Sequence, residues 1–197
     1  MYAPAYMSLG WTYWLEWTWQ WSRDPQTLER AFALAQKAKA LDGSLASIRI
    51  LLGWIYPRQK QHKQAIAEGK CAIALDPKGA YAYTGLGSIL NSARRPEEAV
   101  GLAEHALRLE PEAAAFSSLQ LGLSYYLMRR HEEAITDAQR ALVRFPQIPG
   151  VHTLLAASMA RQVKQRRLGL KRTLSGRLAR VSRLRFGARP VHTKIQL

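Results

Sequence analysis

One feature of the sequence constrains the fold more than any other, a repeat of 34 to 35 residues that continues over most of the 197-residue chain. Four kinds of marker keep this register: two series of alanines, a Leu-Gly pair and a proline. They are Ala31, Ala65, Ala99 and Ala134; Ala38, Ala72, Ala106 and Ala141; Leu52-Gly53, Leu86-Gly87 and Leu121-Gly122; and Pro77, Pro111 and Pro146. A period of roughly 20–50 residues is typical of stacked supersecondary units. The sequence therefore predicts a repeat protein.

Each unit contains two helical patterns. In the third unit, Tyr83, Leu86 and Leu90 lie at i, i+3 and i+7, on one face of a helix. A second helix is predicted to begin at Pro96, because proline suits the first turn and two glutamates follow it near the positive end of the helix dipole. Small residues such as Ala99 would let two antiparallel helices approach closely. The pattern predicts an all-α solenoid of helical hairpins.

These markers resemble the tetratricopeptide-repeat (TPR) family, whose 34-residue unit has Trp/Leu, Leu-Gly, Tyr, Ala, Phe/Ala, Ala and Pro at fixed positions. The resemblance implies a right-handed TPR superhelix that binds a protein or peptide partner in its concave groove, as an interaction scaffold. The TPR array is predicted over residues 1–160. A basic tail over 161–197 follows it and lies outside the resemblance. The array divides into an expanded first repeat at 3–42, whole repeats at 46–79, 80–114 and 115–148, and a half repeat at 149–160.

Two units depart from the family pattern. In the second, Gly69 stands where a larger residue is usual, and Pro57 should end or kink the first helix, so a looser hairpin is expected. In the first, Gly10 and Gly53 are 43 residues apart, which exceeds the repeat length by nine. This excess predicts an extended first helix and a long turn before a second helix that begins at Pro25.

The stretch from Leu9 to Pro25 is also similar to the TPR region that follows the catalytic domain in bacterial class III adenylate/guanylate cyclase-type proteins. This similarity implies that the chain is, or derives from, the C-terminal interaction module of a larger bacterial signalling protein. The residues present include no cyclase catalytic domain.

In the TPR family, ligands contact the first helix of each hairpin. The corresponding positions form an apolar and aromatic surface with a polar middle, which suits an amphipathic helix or an apolar peptide. The alternative is that some of these side chains pack against the next hairpin or an upstream part of the chain. The candidate residues are Met7, Trp11, Trp14, Ile50, Trp54, Arg58, Tyr81, Asn91, Phe116, Leu119, Leu123 and Tyr126, and the mapped positions also include Leu15, Ser47, Thr84, Ser88, Ser92 and Leu127.

Two more specific kinds of binding site are not expected. The positions at which chaperone-binding TPR domains place Lys and Asn hold residues such as Ile50 and Trp54, so a terminal carboxylate would find no cation there. Five tryptophans lie within the 11 residues from Trp11 to Trp21. They fit either a ligand-binding box or a wide aromatic face that covers the first hairpin and caps the stack, and the second interpretation is favoured.

The sequence contains no pattern that favours catalysis, a cofactor or a metal. The histidines are not paired at chelating spacing, and Cys71 lies among small residues, where a buried packing role is expected. No nucleophilic triad or phosphate-binding glycine loop is recognisable. No enzyme activity is therefore expected. A single cysteine, the lack of a signal-peptide pattern and the lack of a long apolar run favour a cytoplasmic location.

The net charge of +15 belongs mainly to the tail, since 12 Lys/Arg and no Asp/Glu lie between Arg161 and Leu197. The repeat register ends there too, with Arg180 at the position of the expected proline. One interpretation is a basic amphipathic segment that binds nucleic acid or an anionic membrane. The other, which is favoured, is a reading-frame change that replaced the fifth hairpin's second helix. Either way the tail is expected to be disordered when free. The residues predicted to share its apolar face are Leu174, Leu178, Val181 and Leu184.

Overall fold

The computed structural model describes the backbone of residues 2–111, 114–144, 146–147 and 149–186. Within these residues the regular structure is helical throughout. The helices are α1 (Ala3–Thr18), α2 (Thr27–Leu41), α3 (Ala46–Ile55), α4 (His62–Leu75), α5 (Ala80–Ser92), α6 (Pro96–Leu109), α7 (Ala114–Leu127), α8 (His131–Arg144) and α9 (Pro149–Phe186), with a 3-10 turn at Tyr56–Gln59. The chain forms two compact units, Met1–Ser158 and Met159–Leu197.

In the first unit the helices pair as successive hairpins. Helix α1 packs against α2, α3 against α4, α5 against α6 and α7 against α8. The first helix of each hairpin also contacts the first helix of the next, and each second helix contacts the first helix that follows it. This is the nearest-neighbour contact pattern of a solenoid. It confirms the predicted all-α architecture of stacked helical hairpins.

The repeated glycines and alanines meet at the centre of each hairpin. A Cβ atom placed on Gly10 would lie 3.3 Å from the carbonyl oxygen of Ala31, and one on Gly122 would lie 3.2 Å from that of Ala134. The two middle hairpins repeat this contact, with 3.3 Å between Gly53 and Ala65 and 3.5 Å between Gly87 and Ala99. All four alanines are fully buried. The glycine of each Leu-Gly pair and the alanine of the first series are therefore the two sides of one close helix–helix contact.

The first helix of the second hairpin is strongly apolar and buried. Helix α3 buries five large aliphatic side chains completely, and a Cβ atom on Gly69 would lie 2.7 Å from Cδ1 of Leu86. Gly69 therefore lies where α5 approaches α4 closely, and the looser packing expected within the second hairpin stays a prediction. As predicted, Pro57 ends the first helix, because α3 stops at Ile55 and a 3-10 turn follows. The buried residues of α3 are Ile48, Ile50, Leu51, Leu52 and Ile55.

An ion network joins the first two hairpins. The carboxylate of Glu68 on α4 is buried, and it accepts hydrogen bonds from Lys39 on α2 at 2.5 Å and from Arg49 on α3 at 3.0 Å. Arg49 also donates to the carbonyl oxygen of Gly43 at 3.1 Å. Two cations thus compensate one buried carboxylate, which removes the desolvation penalty that an isolated charge would carry. Residues from three helices, α2, α3 and α4, meet in this one network.

Two local features differ from the expectations. Helix α2 begins at Thr27 rather than Pro25, because the hydroxyl of Thr27 donates to the carbonyl oxygen of Asp24 at 2.7 Å and residues 19–26 form the turn before the helix. Cys71 is exposed rather than buried. It lies beside Ala72 on α4, and Ala72 is the residue that faces the neighbouring helices.

Helix α9 enters both units. Its first turns belong to the first unit, where Val151, Leu154 and Ser158 are buried. The tail expected to be disordered, 161–197, is helical as far as Phe186, and residues 187–197 lie outside the described residues. After Ser158 the described side chains are exposed, apart from the half-buried Gln162. The described side chains beyond Gln162 therefore contribute little of the tertiary burial on which most helices in proteins depend.

The close contact inside the third hairpin predicts that Ala99→Leu destabilises the protein by about 1–3 kcal/mol, because the larger side chain has no space beside Gly87. Gly101→Ala on the same helix is the matched control. Gly101 is exposed with no atom within 4 Å of its added Cβ, so this change should be neutral or stabilising by up to about 1 kcal/mol. Urea denaturation of both variants measures the difference. Equal stability of Ala99→Leu and the wild type would contradict the contact.

The ion network predicts that Glu68→Gln destabilises the protein by about 1–3 kcal/mol, since Lys39 and Arg49 would lose their shared carboxylate. Glu98→Gln is the control, because Glu98 forms an exposed pair with Arg95 and should change stability by about 0.5 kcal/mol or less. Thermal unfolding at low and moderate salt measures both variants. A Glu98→Gln loss as large as that of Glu68→Gln would show that burial adds nothing.

Candidate functional site

The first helices of the hairpins enclose a cavity of about 470 Å³ in the first unit. Its lining comes from α1, α3, α5 and α7, together with one residue from the turn after α1 and one from the 3-10 turn after α3. The cavity is thus shared by all four hairpins. The lining residues are Trp11, Trp14, Leu15, Thr18, Trp19, Trp54, Arg58, Tyr81, Ser88, Ser92 and Phe116.

Four aromatic rings, each from a different helix, form the centre of the cavity wall. The ring of Trp54 lies with its centroid 5.0 Å from that of Trp11 and 6.2 Å from those of both Tyr81 and Phe116. The last two pairs meet edge to face, with 76° between the ring planes, which is a favourable arrangement of aromatic quadrupoles. This aromatic cluster gives the cavity a rigid apolar floor.

The helix register explains why two of these rings, Trp11 and Trp54, face the cavity. In each hairpin the marker glycine faces its partner helix, and the next residue is turned by about 100° toward the cavity side. The residue after Gly10 is Trp11 and the residue after Gly53 is Trp54. In the next two hairpins the same position holds Ser88 and Leu123, which also line cavities. The close contact that joins each hairpin thus determines which side chain it presents to the groove.

The electrostatics of the cavity are simple. Among the described lining residues, Arg58 is the one charged side chain, and its guanidinium carbon lies 5.2 Å from the ring centroid of Trp17. Burial raises the pKa of Tyr81 to about 12, because the phenolate would lose hydration among the surrounding protein atoms. Tyr81 nevertheless keeps 40% of its surface exposed, on the side open to the cavity. The indole Nε1 of Trp54 is buried without a hydrogen-bond acceptor.

A second cavity of about 400 Å³ lies between α7 and the first turns of α9. Trp19 lines this cavity as well as the first one, so the two adjoin at that ring. Its wall is apolar apart from one threonine and the tyrosine hydroxyl. The lining residues are Trp19, Leu123, Tyr126, Gly150, Thr153, Leu154 and Ala157.

The structure brings most of the twelve candidate residues to these two cavities. Six of them line the first: Trp11, Trp14, Trp54, Arg58, Tyr81 and Phe116. Leu123 and Tyr126 line the second. Met7, Ile50, Asn91 and Leu119 line neither. Of the other mapped positions, Leu15, Ser88 and Ser92 line the first cavity.

For Ile50 and Asn91 the assignment to the groove surface is wrong, because both are buried in contacts between neighbouring hairpins. Ile50 would lie 2.6 Å from a Cβ atom placed on Gly85. The side-chain amide of Asn91 donates to the carbonyl oxygen of Gln120 at 3.3 Å, and its oxygen accepts from Ser124 at 3.0 Å. The first helices are close enough for these positions to face the next helix rather than the groove.

Met7 and Leu119 are half-buried rather than open to a cavity. The sulfur of Met7 accepts a hydrogen bond from the hydroxyl of Ser47 at 2.9 Å, and Met7 packs against the core of the first two hairpins. The alternative interpretation, packing against the next hairpin, therefore applies to Met7 as well.

Two lining residues, Thr18 and Trp19, are not predicted by the ligand-contact positions of the TPR family. The first repeat is longer than the family unit at this point, so no family position corresponds to them. The signal for Thr18 is its helical spacing from Trp11 and Trp14, at i+7 and i+4. Trp19 lies just after the end of α1, where helical spacing gives no guide.

The tryptophans between Trp11 and Trp21 divide between a binding role and a covering role. Trp11, Trp14 and Trp19 line the first cavity, which is the position a binding role requires. Trp17 packs against the core of the first two hairpins, as a covering role requires. Trp21 is 74% exposed and lines neither cavity.

Among the residues that the structure describes, no group of three or more His, Cys, Asp or Glu side chains is arranged to hold a metal ion. In the same part of the chain, no helix combines the length and the apolar character needed to cross a membrane.

The environment of Tyr81 can be tested by spectrophotometric titration. The difference between the wild type and Tyr81→Phe should show one phenol that ionises near pH 12 rather than near the usual value of about 10. Because the folded state holds this proton more tightly than the unfolded chain, the stability it contributes is present below about pH 10 and is lost as the pH rises toward about 12. A titration midpoint near pH 10 would show that the Tyr81 hydroxyl is fully hydrated.

No protein-family model matches the sequence, and no curated protein matches it. Solved structures do match. A thermophilic TPR protein of Thermus thermophilus superposes with a TM-score of 0.67 at 18% identity, over 82% of this chain and 89% of that one. PilF of Pseudomonas aeruginosa gives 0.63 at 24% identity, over 82% and 69% of the two chains. The MamA protein gives 0.54 at 20% identity, over 96% and 97%. Together with the hairpin contacts, these similarities confirm that the chain has the fold of a TPR solenoid.

Proposed function

We propose that this protein is an interaction scaffold that binds an apolar segment of a partner polypeptide in the cavity of the first helices. The observation that supports the proposal is the aromatic cluster of Trp11, Trp54, Tyr81 and Phe116, which lines an open volume of about 470 Å³. A preformed concave apolar site with few polar groups is the usual form of a binding site.

The lining defines the chemistry of the occupant. Aromatic walls favour apolar anchors such as leucine, methionine or phenylalanine, whose burial contributes about 25 cal/mol per Å². Arg58 at one side favours an acidic residue next to those anchors, and no carboxylate of the lining opposes it. An amphipathic helix with neighbouring apolar and acidic residues meets both conditions. The second cavity would accept a further apolar anchor, because it adjoins the first at Trp19.

The finer assignment, a regulatory module of a bacterial cyclase-type signalling protein, is supported by the sequence from Leu9 to Pro25. In the structure this stretch forms most of α1 and the turn that follows, and it supplies Trp11, Trp14 and Trp19 to the cavity wall. The resemblance therefore concerns the groove itself. We include a segment of such a signalling protein among the candidate partners.

The proposal predicts that helical peptides selected from a display library against the full chain bind through the cavity. Tyr81→Ala and Phe116→Ala should weaken binding of the selected peptides by about 1–3 kcal/mol, or roughly 5- to 150-fold in Kd. Leu123→Ala should weaken the binding of only those peptides that reach the second cavity. Isothermal titration calorimetry measures the affinities, and circular dichroism verifies that each variant is folded.

Trp21→Ala is the matched control, because it removes an exposed tryptophan that lines neither cavity. It should leave the affinity unchanged within about twofold. If folded Tyr81→Ala and Phe116→Ala bind the peptides as tightly as the wild type does, the cavity is not the binding surface. An equal loss for Trp21→Ala would instead indicate nonspecific adhesion to exposed aromatic groups.

A further inference from the structure

The second unit carries a dense positive charge on a helix whose described side chains are almost all exposed. From Arg161 to Leu197 the sequence has 12 Lys/Arg and no Asp/Glu. The structure describes eight of these side chains as exposed on α9. They are Arg161, Lys164, Arg166, Arg167, Lys171, Arg172, Arg177 and Arg180.

The same helix exposes a stripe of apolar side chains. Val163, Leu170, Leu174 and Leu178 are between 58% and 69% exposed. At 100° per residue they fall within an arc of about 80°, and they extend over roughly 22 Å of the helix axis. Leu168 lies about 120° from the middle of this stripe. An exposed apolar stripe of this length on a helix marks an interaction surface.

Positive charge lies both within and beside the apolar stripe. At 100° per residue, Arg167 falls inside the arc of the stripe and Arg177 falls about 20° outside it. Their aliphatic stems can lie along an apolar surface while their guanidinium groups extend to a polar boundary. This arrangement fits a binding partner that has an apolar interior and an anionic outer boundary.

The combination of charge and apolar area distinguishes among possible occupants. A nucleic acid would neutralise the arginines and lysines but leave the leucines in water. A second copy of the helix would cover the leucines but bring like charges together. A bilayer with anionic headgroups does both, because its headgroups attract the basic side chains and its acyl region accepts the apolar stripe.

Two glycines also weaken this helix in water. Among the described residues, no atom other than the helix's own backbone lies within 4 Å of a Cβ added to Gly169 or Gly176. Each glycine costs about 1 kcal/mol relative to alanine in a helix. Burial of the apolar stripe in a lipid interface would offset this cost.

We propose that the helical segment 161–186 binds the surface of an anionic lipid bilayer, with the stripe of Val163, Leu170, Leu174 and Leu178 in the acyl boundary. The helix lies in the plane of the surface rather than across it. Of the residues predicted from sequence to share this face, Leu174 and Leu178 belong to the exposed stripe, and the side chains of Val181 and Leu184 lie outside the described residues. This binding is independent of the groove, so each can be tested without the other.

The test is co-sedimentation of the full chain with vesicles of phosphatidylcholine alone and with vesicles that also contain phosphatidylserine. We expect binding to the anionic vesicles to exceed binding to the neutral ones by at least about tenfold, because each basic residue near the surface contributes about 1 kcal/mol. Raising the salt concentration should reduce the difference. Equal binding to both vesicle types, or binding to neither, would overturn the proposal.

A matched pair of variants tests the orientation of the helix. Leu174→Gln removes an apolar group from the middle of the stripe, and Leu168→Gln makes the same change about 120° away from it, at a residue that is 49% exposed. We expect Leu174→Gln to lower the partition coefficient by about fivefold or more and Leu168→Gln to leave it within about twofold. Equal effects of the two changes would overturn the orientation and with it the insertion of the stripe.

Competition with single-stranded RNA distinguishes the remaining alternative. We expect the anionic vesicles to compete with the RNA for the full chain, and Leu174→Gln to affect only the vesicles. The lipid proposal would be replaced by a nucleic-acid one if the chain binds RNA more tightly than vesicles and if Leu174→Gln changes neither affinity. Tyr81→Ala should leave vesicle binding unchanged, since Tyr81 belongs to the groove.

Discussion

The structure depends on one contact, the approach of a glycine in each first helix to the backbone of an alanine in the second. The distance from an added glycine Cβ to the alanine carbonyl oxygen is between 3.2 and 3.5 Å in all four hairpins. At this separation, a larger side chain on either partner would push the helices apart. The contact is repeated with little variation, so each hairpin presents nearly the same shape to its neighbours.

The regular hairpin shape brings side chains together that are far apart in sequence. Trp11, Trp54 and Phe116 meet because the stacked hairpins place their first helices side by side. The contacts between hairpins are not uniform, however. Between α3 and α5 the packing is aliphatic, with Ile50 against Gly85. Between α5 and α7 it is polar, with Thr84 and Ser117 joined at 2.6 Å.

The polar layer between α5 and α7 has a structural consequence. Thr84, Asn91, Ser117 and Ser124 are buried, and each has a hydrogen-bond partner in or near the layer. Buried polar groups tolerate only those relative positions that keep their partners, whereas aliphatic surfaces can shift with less penalty. This layer therefore fixes the register of α7, and so the position of Phe116 in the groove. Along the basic part of α9, by contrast, the described side chains beyond Gln162 are exposed.

The repeat, the helical hairpins and the general side of the groove could be predicted from the sequence, because glycine, alanine and proline markers recur wherever the backbone geometry demands them. The basic tail could be located as well, since charge is a property of composition. The accessibility of the candidate residues could not be predicted, because it depends on how the helices pack. Ile50 and Asn91 lie on first helices like Trp54, but they face the next hairpin and are buried. The contribution of Trp19 to two cavities likewise follows from the path of the chain after α1. Sequence periodicity gives the face of a helix, but the distance and rotation between helices decide what that face meets.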